Sequence, residues 1–288
     1  MEYALIFLSV SMFGGCFALN DVYRKRRGSS IKASIEASFV GSLAGILCLL
    51  IFSGFKLEFT PFTLLLALLA ASNRIAFTFF SFKALSSINL SLYSLFSMLG
   101  GMMLPFLQGI AFYGEKITLA KIVCVVIICI ALALTVKKGD KSRGYVYYVG
   151  VFVLNGMSGV LSKIFSESSL PKASAAGYSL WISIGTVAIS GVVWLAMACK
   201  KQSEEEKYKL GDCAVGAING GMNAVANCLL VIALASVDAS VQYPAVTGGV
   251  MIVSTLICFF GARKPSKREL VAVALAFVGT LALFVIPI

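Results

Sequence analysis

Ala84-Leu85-Ser86-Ser87-Ile88-Asn89-Leu90-Ser91 recurs further along the chain as Ala233-Leu234-Ala235-Ser236-Val237-Asp238-Ala239-Ser240, with no gap. The match includes polar positions, so a shared apolar composition does not account for it. Working outward from this pair, Lys32-Ala33-Ser34 finds its counterpart in Lys172-Ala173-Ser174, and Tyr3 and Gly14 in Tyr145 and Gly156. Residues 1–137 therefore lie on 144–288 in order, as two copies of one unit.

The setting of that unit is apolar. Of the 288 residues, 59% are hydrophobic and 13% charged, and mean hydropathy is +0.94, where a soluble domain carries about 25% charged residues. A hydrocarbon core about 30 Å thick takes about 20 apolar residues per helix, and uncharged runs of that order recur at Ala37 to Phe55, Ala239 to Ala262 and Leu270 to Ile288. Unpaired backbone amides are too costly in lipid, which leaves helices; the alternating short segments of a β-barrel are absent from the sequence. Charge clusters and turn residues divide the chain into spans at 2–22, 33–54, 61–83, 88–112, 117–137, 145–166, 173–199, 211–235, 239–261 and 269–287.

The expected fold is thus an all-α membrane protein of ten transmembrane helices. Each copy holds an odd number of spans, so the second must sit upside down relative to the first: two inverted five-helix repeats, an arrangement of many secondary carriers, whose substrate site lies near the midplane where the halves meet. Lys and Arg collect in alternate short loops (Arg24 to Arg27, Lys137 to Arg143, Lys200 to Lys209, Arg263 to Arg268). Those loops belong on the cytoplasmic side, with both termini outside.

Composition excludes several function classes. The net charge of +11 sits in these loops, where it meets anionic headgroups and not nucleic acid. With no histidine, His-based triads, imidazole metal sites and haem ligation by histidine are ruled out. The eight cysteines are scattered without a C-x-x-C pair and read as packing residues. No Walker loop, dinucleotide fingerprint or nucleophile elbow occurs. The expectation is a protein without cofactor or metal, and not an enzyme.

Arg74 stands near the middle of the third span, where an arginine costs about 2.5–3.5 kcal/mol unless it meets a partner or a wet cavity. Its planar fork suits a carboxylate or phosphate; pairing with an internal acid or with exposed helix carbonyls, or snorkelling to the surface, is the plainer alternative. Asn219, Asn223 and Asn227 follow at intervals of four in the eighth span, which stacks three amides on one helix face. The repeat aligns Asn223 with Arg74 and Asn227 with Thr78, so symmetry-related helices each present a polar stripe at matched depth. Hydrogen bonding between helices is the competing reading. Gln242 and Tyr243 in the ninth span, matched by Tyr93 in the fourth, add an amide and two phenols for ring stacking or hydrogen bonding, unless they belong to the interfacial aromatic belt. Asn155 and Trp181 are further cavity candidates. Asp21, Glu36, Lys163 and Glu167 fall close to span ends and read as headgroup-level charges.

Gly114-Glu115-Lys116-Ile117-Thr118, leading into the small-residue-rich Leu119 to Val136, resembles the Gly-Glu-Lys-Leu-Thr turn of the drug/metabolite transporter superfamily, and of its EamA-type ten-helix carriers in particular. Phe277-Val278-Gly279-Thr280-Leu281-Ala282-Leu283 keeps the flavour of the second copy, although Arg263 stands where that family has Glu, and Phe13-Gly14-Gly15 replaces its usual Trp-Gly start. The resemblance covers essentially the whole chain and implies a secondary carrier working by alternating access. The expected substrate is a small polar or anionic metabolite, an amino acid or related carboxylated compound. Its partners would be the bilayer of a bacterial cytoplasmic membrane and a coupling proton or counter-substrate, with the carrier a monomer or homodimer. A cation, choline-like or drug carrier with a Tyr93, Trp181 and Tyr243 cage, and a membrane assembly protein without transport, are the alternatives.

Overall fold

The computed structural model describes residues 2–114, 145–199, 209–234, 239–261 and 264–285, with the pairs 118–119, 122–123, 126–127 and 130–131. Among the described residues the protein is all-helical: α1 (Glu2–Arg27), α2 (Ile31–Phe52), α3 (Pro61–Ser87), α4 (Leu90–Tyr113), α5 (Tyr145–Glu167), α6 (Ala175–Cys199), α7 (Leu210–Leu234), α8 (Ala239–Phe259) and α9 (Lys267–Val285). Seven of these, α1 to α7, are long and apolar enough to cross a membrane. The chain is an α-helical integral membrane protein. The predicted span 117–137 lies outside the described residues apart from the few positions named.

Helix ends follow local chemistry. The side chains of Ser30, Thr60 and Asn89 accept from the backbone N–H three residues on, at 3.1, 3.2 and 2.9 Å, and so cap α2, α3 and α4. Pro61 occupies the first turn of α3, where a missing N–H costs nothing. The helix α1 runs through the basic cluster Arg24 to Arg27, which the sequence reading places in a loop. Charged side chains at a membrane face do not break a helix, and α1 stops only at Gly28, whose positive φ of 79° and N–H to Arg24 bond of 2.7 Å close the last turn.

Packing depends on glycine. The two Gly-x-x-x-Gly motifs of α2 and α7 meet face to face: a Cβ on Gly41 would sit 3.2 Å from the Gly216 carbonyl oxygen and 3.3 Å from Gly220 Cα, and one on Gly220 would collide with the Gly41 backbone. Elsewhere, a Cβ on Gly100 of α4 would strike the Phe152 carbonyl of α5, and one on Gly249 of α8 would lie 2.8 Å from Val10 of α1. The largest helix interfaces are α2 with α7, α4 with α5, α1 with α7 and α2 with α6. In each, helices separated in sequence interleave, so that the two halves of the chain share one body. Such backbone approach is how helices gain contact in lipid, where water supplies no hydrophobic drive.

Candidate functional site

Arg74 lies midway along α3, with Leu65 (60% exposed) and Leu69 (51%) marking the outward face of that helix. At about 100° per residue, Arg74 points about 180° from Leu65, toward the interior of the bundle. It is half-buried there, as is Thr78 one turn on, while Ala67, Ala71 and Leu85 on the same inner face are sealed. Among the described residues the guanidinium makes no hydrogen bond or ion pair. The ionisable group close enough to act on it is the Cys16 thiol of α1, and the Thr78 hydroxyl donates to the Arg74 carbonyl at 3.0 Å. An internal acid as partner, the plainer expectation for Arg74, is not found among the described residues.

The asparagines of α7 behave differently from one another. Ile218 (55%) and Ile232 (47%) mark the outward side of α7, and Asn227, nine residues from Ile218, points about 180° away from it. Asn227 is nevertheless exposed and Asn223 half-buried: a polar pair open to space on a face turned from the lipid. Asn227 donates to the Asn223 carbonyl at 2.7 Å and to its side-chain oxygen at 3.1 Å. Asn219 is engaged with α1, donating to Asn20 Oδ1 at 2.8 Å while its own backbone carbonyl accepts from Cys16 Sγ at 3.5 Å.

The remaining candidates are occupied elsewhere. Tyr93 is fully buried, its hydroxyl donating to Ser81 Oγ at 2.8 Å and its ring edge-on to Phe17 at 5.0 Å, so its side chain has no open face. Asn155 donates to the Ser97 carbonyl at 2.7 Å and ties α5 to α4. Trp181 lies at one end of the bundle, where its indole donates to the Glu58 carbonyl at 2.7 Å and its ring meets Phe59; the loop between α2 and α3 claims it, away from the midplane. The side chains of Gln242 and Tyr243 lie outside the described residues. Glu36, read as a headgroup-level charge, is instead buried in an ion pair with Arg27 at 2.8 Å.

Sequence reading missed Cys16, Asn20 and Asn73. Asn73 donates to the Leu154 carbonyl and to Ser158 Oγ, both at 2.9 Å, joining α3 to α5. Cys16 and Asn20 are one turn apart on α1, a spacing that marks a common face, but a lone cysteine and an asparagine near a span end give no other signal. At the Trp181 end, the Glu58 carboxylate accepts from the Ser174 N–H. That bond, with the charge of Lys56, holds its carboxyl below the usual glutamate range.

No protein-family model matches the chain, and no curated protein is similar to it. Its fold is similar to that of a solved structure described only as the crystal structure of a protein, with a TM-score of 0.62 and 16% identity over 98% of this chain and 95% of the other. At that identity the likeness concerns the fold alone.

Proposed function

We propose that the protein is a secondary carrier of the drug/metabolite transporter type, with ten transmembrane helices in two inverted five-helix repeats. It moves a small polar or anionic metabolite by alternating access and is not an enzyme. The observation that carries this reading is Arg74: a half-buried cation at mid-depth, turned from the lipid and unpaired among the described residues. A fixed charge that meets no protein partner in so costly a place is explained by a transient anionic one. The open Asn223 and Asn227 supply amides for the polar remainder of such a ligand.

Contacts between helices support the inverted repeat. The sequence alignment carries Gly14 to Gly156, Val10 to Phe152, Gly100 to Gly249 and Leu104 to Val253. In the structure Gly14 abuts Val253 and Gly156 abuts Leu104; Gly100 abuts Phe152 and Gly249 abuts Val10. Each contact is therefore the image of another under exchange of the halves. The same holds for Gly45 against Gly220 and Gly185 against Ala71. A cation carrier with an aromatic cage has less support, since Tyr93 is sealed and Trp181 sits at the bundle end.

The test is solute counterflow in proteoliposomes. Labelled amino acids and carboxylates should exchange against unlabelled ones, and Arg74→Ala should abolish exchange while the protein stays folded. Full-rate exchange by that variant would remove Arg74 from the site, and no exchange with any metabolite by the parent protein would remove the carrier reading.

A further inference from the structure

The four side chains Cys16, Asn20, Tyr23 and Arg27 recur at helical spacing along one face of α1 and close onto three neighbouring helices. Cys16 donates to the Asn219 carbonyl and Asn20 Oδ1 accepts from Asn219, both on α7. Tyr23, 1% exposed, stacks on the fully buried Phe82 of α3 at 5.7 Å, and its ring edge lies 3.4 Å from where a Cβ of Gly216 would be. Arg27 pairs with Glu36 of α2 at 2.8 Å, with side-chain exposures of 7% and 9%. This column begins beside Arg74 and ends at the basic end of the bundle. In the other direction along α7, Asn223 and Asn227 stay open on the inward face.

From this geometry we infer that the structure is shut at its basic end, and that the Arg27–Glu36 ion pair is the latch of that gate. The inference rests on the carrier reading above for its purpose, not for its observations. Two features single out the pair. It is the ion pair of the column, with both side chains buried, and it lies at the outer end, so water entering along this face of α1 must pass it first. The seal also encloses a polar atom with no partner among the described residues, Asn219 Oδ1; a buried acceptor left unsatisfied is a cost that hydration of an open gate would relieve. A dry closure of this kind is held against its own polar lining, and the ion pair supplies the holding contact. Among the described residues, the titratable groups that act on Arg27 besides Glu36 are the neutral Tyr23 phenol of α1 and the Asp212 carboxylate of α7, which itself lies 3.9 Å from Arg26.

The opposite end closes with different chemistry. There the alignment puts Phe165 in the place of Tyr23, stacked on Tyr178 at 4.2 Å, and Ala176 in the place of Glu36. Its gate is aromatic and uncharged at the corresponding positions, so removing charge at Glu36 unlatches one gate and leaves the other untouched.

Cys16, the sealed inner member of the column, reports the state of the gate. In membrane vesicles, a charged membrane-impermeant methanethiosulfonate applied from the basic side should modify Cys16 slowly in the parent protein. Modification is read by mass spectrometry of the peptide, with Cys16→Ser as the blank. Glu36→Gln should speed modification about tenfold or more, in proportion to the population of the opened state. The reversed pair Arg27→Glu/Glu36→Arg should return it to the slow rate, which a protein loosened nonspecifically would not do. If Glu36→Gln does not reach the membrane, Arg27→Gln carries the same expectation. An unchanged Cys16 rate in the folded variant, or a reversed pair as fast as the single variant, overturns the latch. Gated labelling without counterflow would leave the latch standing and remove the carrier; counterflow with ungated labelling would do the reverse.

Discussion

At the scale of single residues, the interior polar groups divide into those bonded to a neighbouring helix and those that, among the described residues, are not. Asn73, Asn155 and Tyr93 spend their hydrogen bonds on neighbouring helices, while Arg74 and the open pair Asn223 and Asn227 face space. Loss of Arg74 should therefore separate function from stability. Arg74→Ala is expected to lower counterflow by more than about tenfold, or about 1.4 kcal/mol of binding free energy, with an equal or higher melting temperature, because it removes a cation that has no partner among the described residues; a fall in Tm alongside lost exchange would point to a structural role. Asn73→Ala removes two interhelical hydrogen bonds, each about 0.6 kcal/mol on average in membranes, and should lower Tm while leaving exchange intact. Glu58 gives a pH prediction outside the membrane-spanning segments. Its carboxyl titrates below the ordinary value because it accepts from Ser174. Its stabilising contribution is then present above the unfolded-state value, about 4.3, and lost as pH falls through the lower folded value. The Tm difference between the parent and Glu58→Gln, measured across pH, should be small because the group is exposed, and should vanish at the acid end.

Elements meet through glycines whose surroundings differ in how far they can yield. A Cβ at Gly220 would run into the Gly41 backbone, whereas one at Gly15 would meet only the Met222 terminal methyl at 3.0 Å. Backbone cannot step aside and a methionine tip can. Gly220→Ala should accordingly destabilise by about 1–3 kcal/mol or more and separate α2 from α7, while Gly15→Ala should change little; comparing their Tm values in detergent checks this. The same contrast splits a symmetry pair. Gly100→Ala strikes the Phe152 carbonyl and should be the more damaging, while Gly249→Ala meets the Val10 side chain at 2.8 Å, a tight contact but with side chain and not backbone.

On the scale of the whole molecule, two inverted copies of five helices require both termini on one side of the membrane. Tags on each end should be accessible to an impermeant reagent from the same side; accessibility from opposite sides would break the ten-span arrangement. The membrane class and the helical spans α1 to α7 were legible in the sequence because both rest on a quantity the sequence carries directly, apolar run length against bilayer thickness. Arg74 was legible too, since a charge amid leucines is anomalous wherever the helix packs. Tertiary structure alone decided which polar groups are spent. Asn219, Asn223 and Asn227 are indistinguishable at a spacing of four, yet one is consumed by Asn20 while the others stay open. Trp181 reads as a cavity residue until the α2–α3 loop folds over it, and Glu36 reads as a surface charge until Arg27 meets it in the interior. Hydrogen bonds and ion pairs join residues distant in sequence, and their partners are fixed only by which helix faces are brought together.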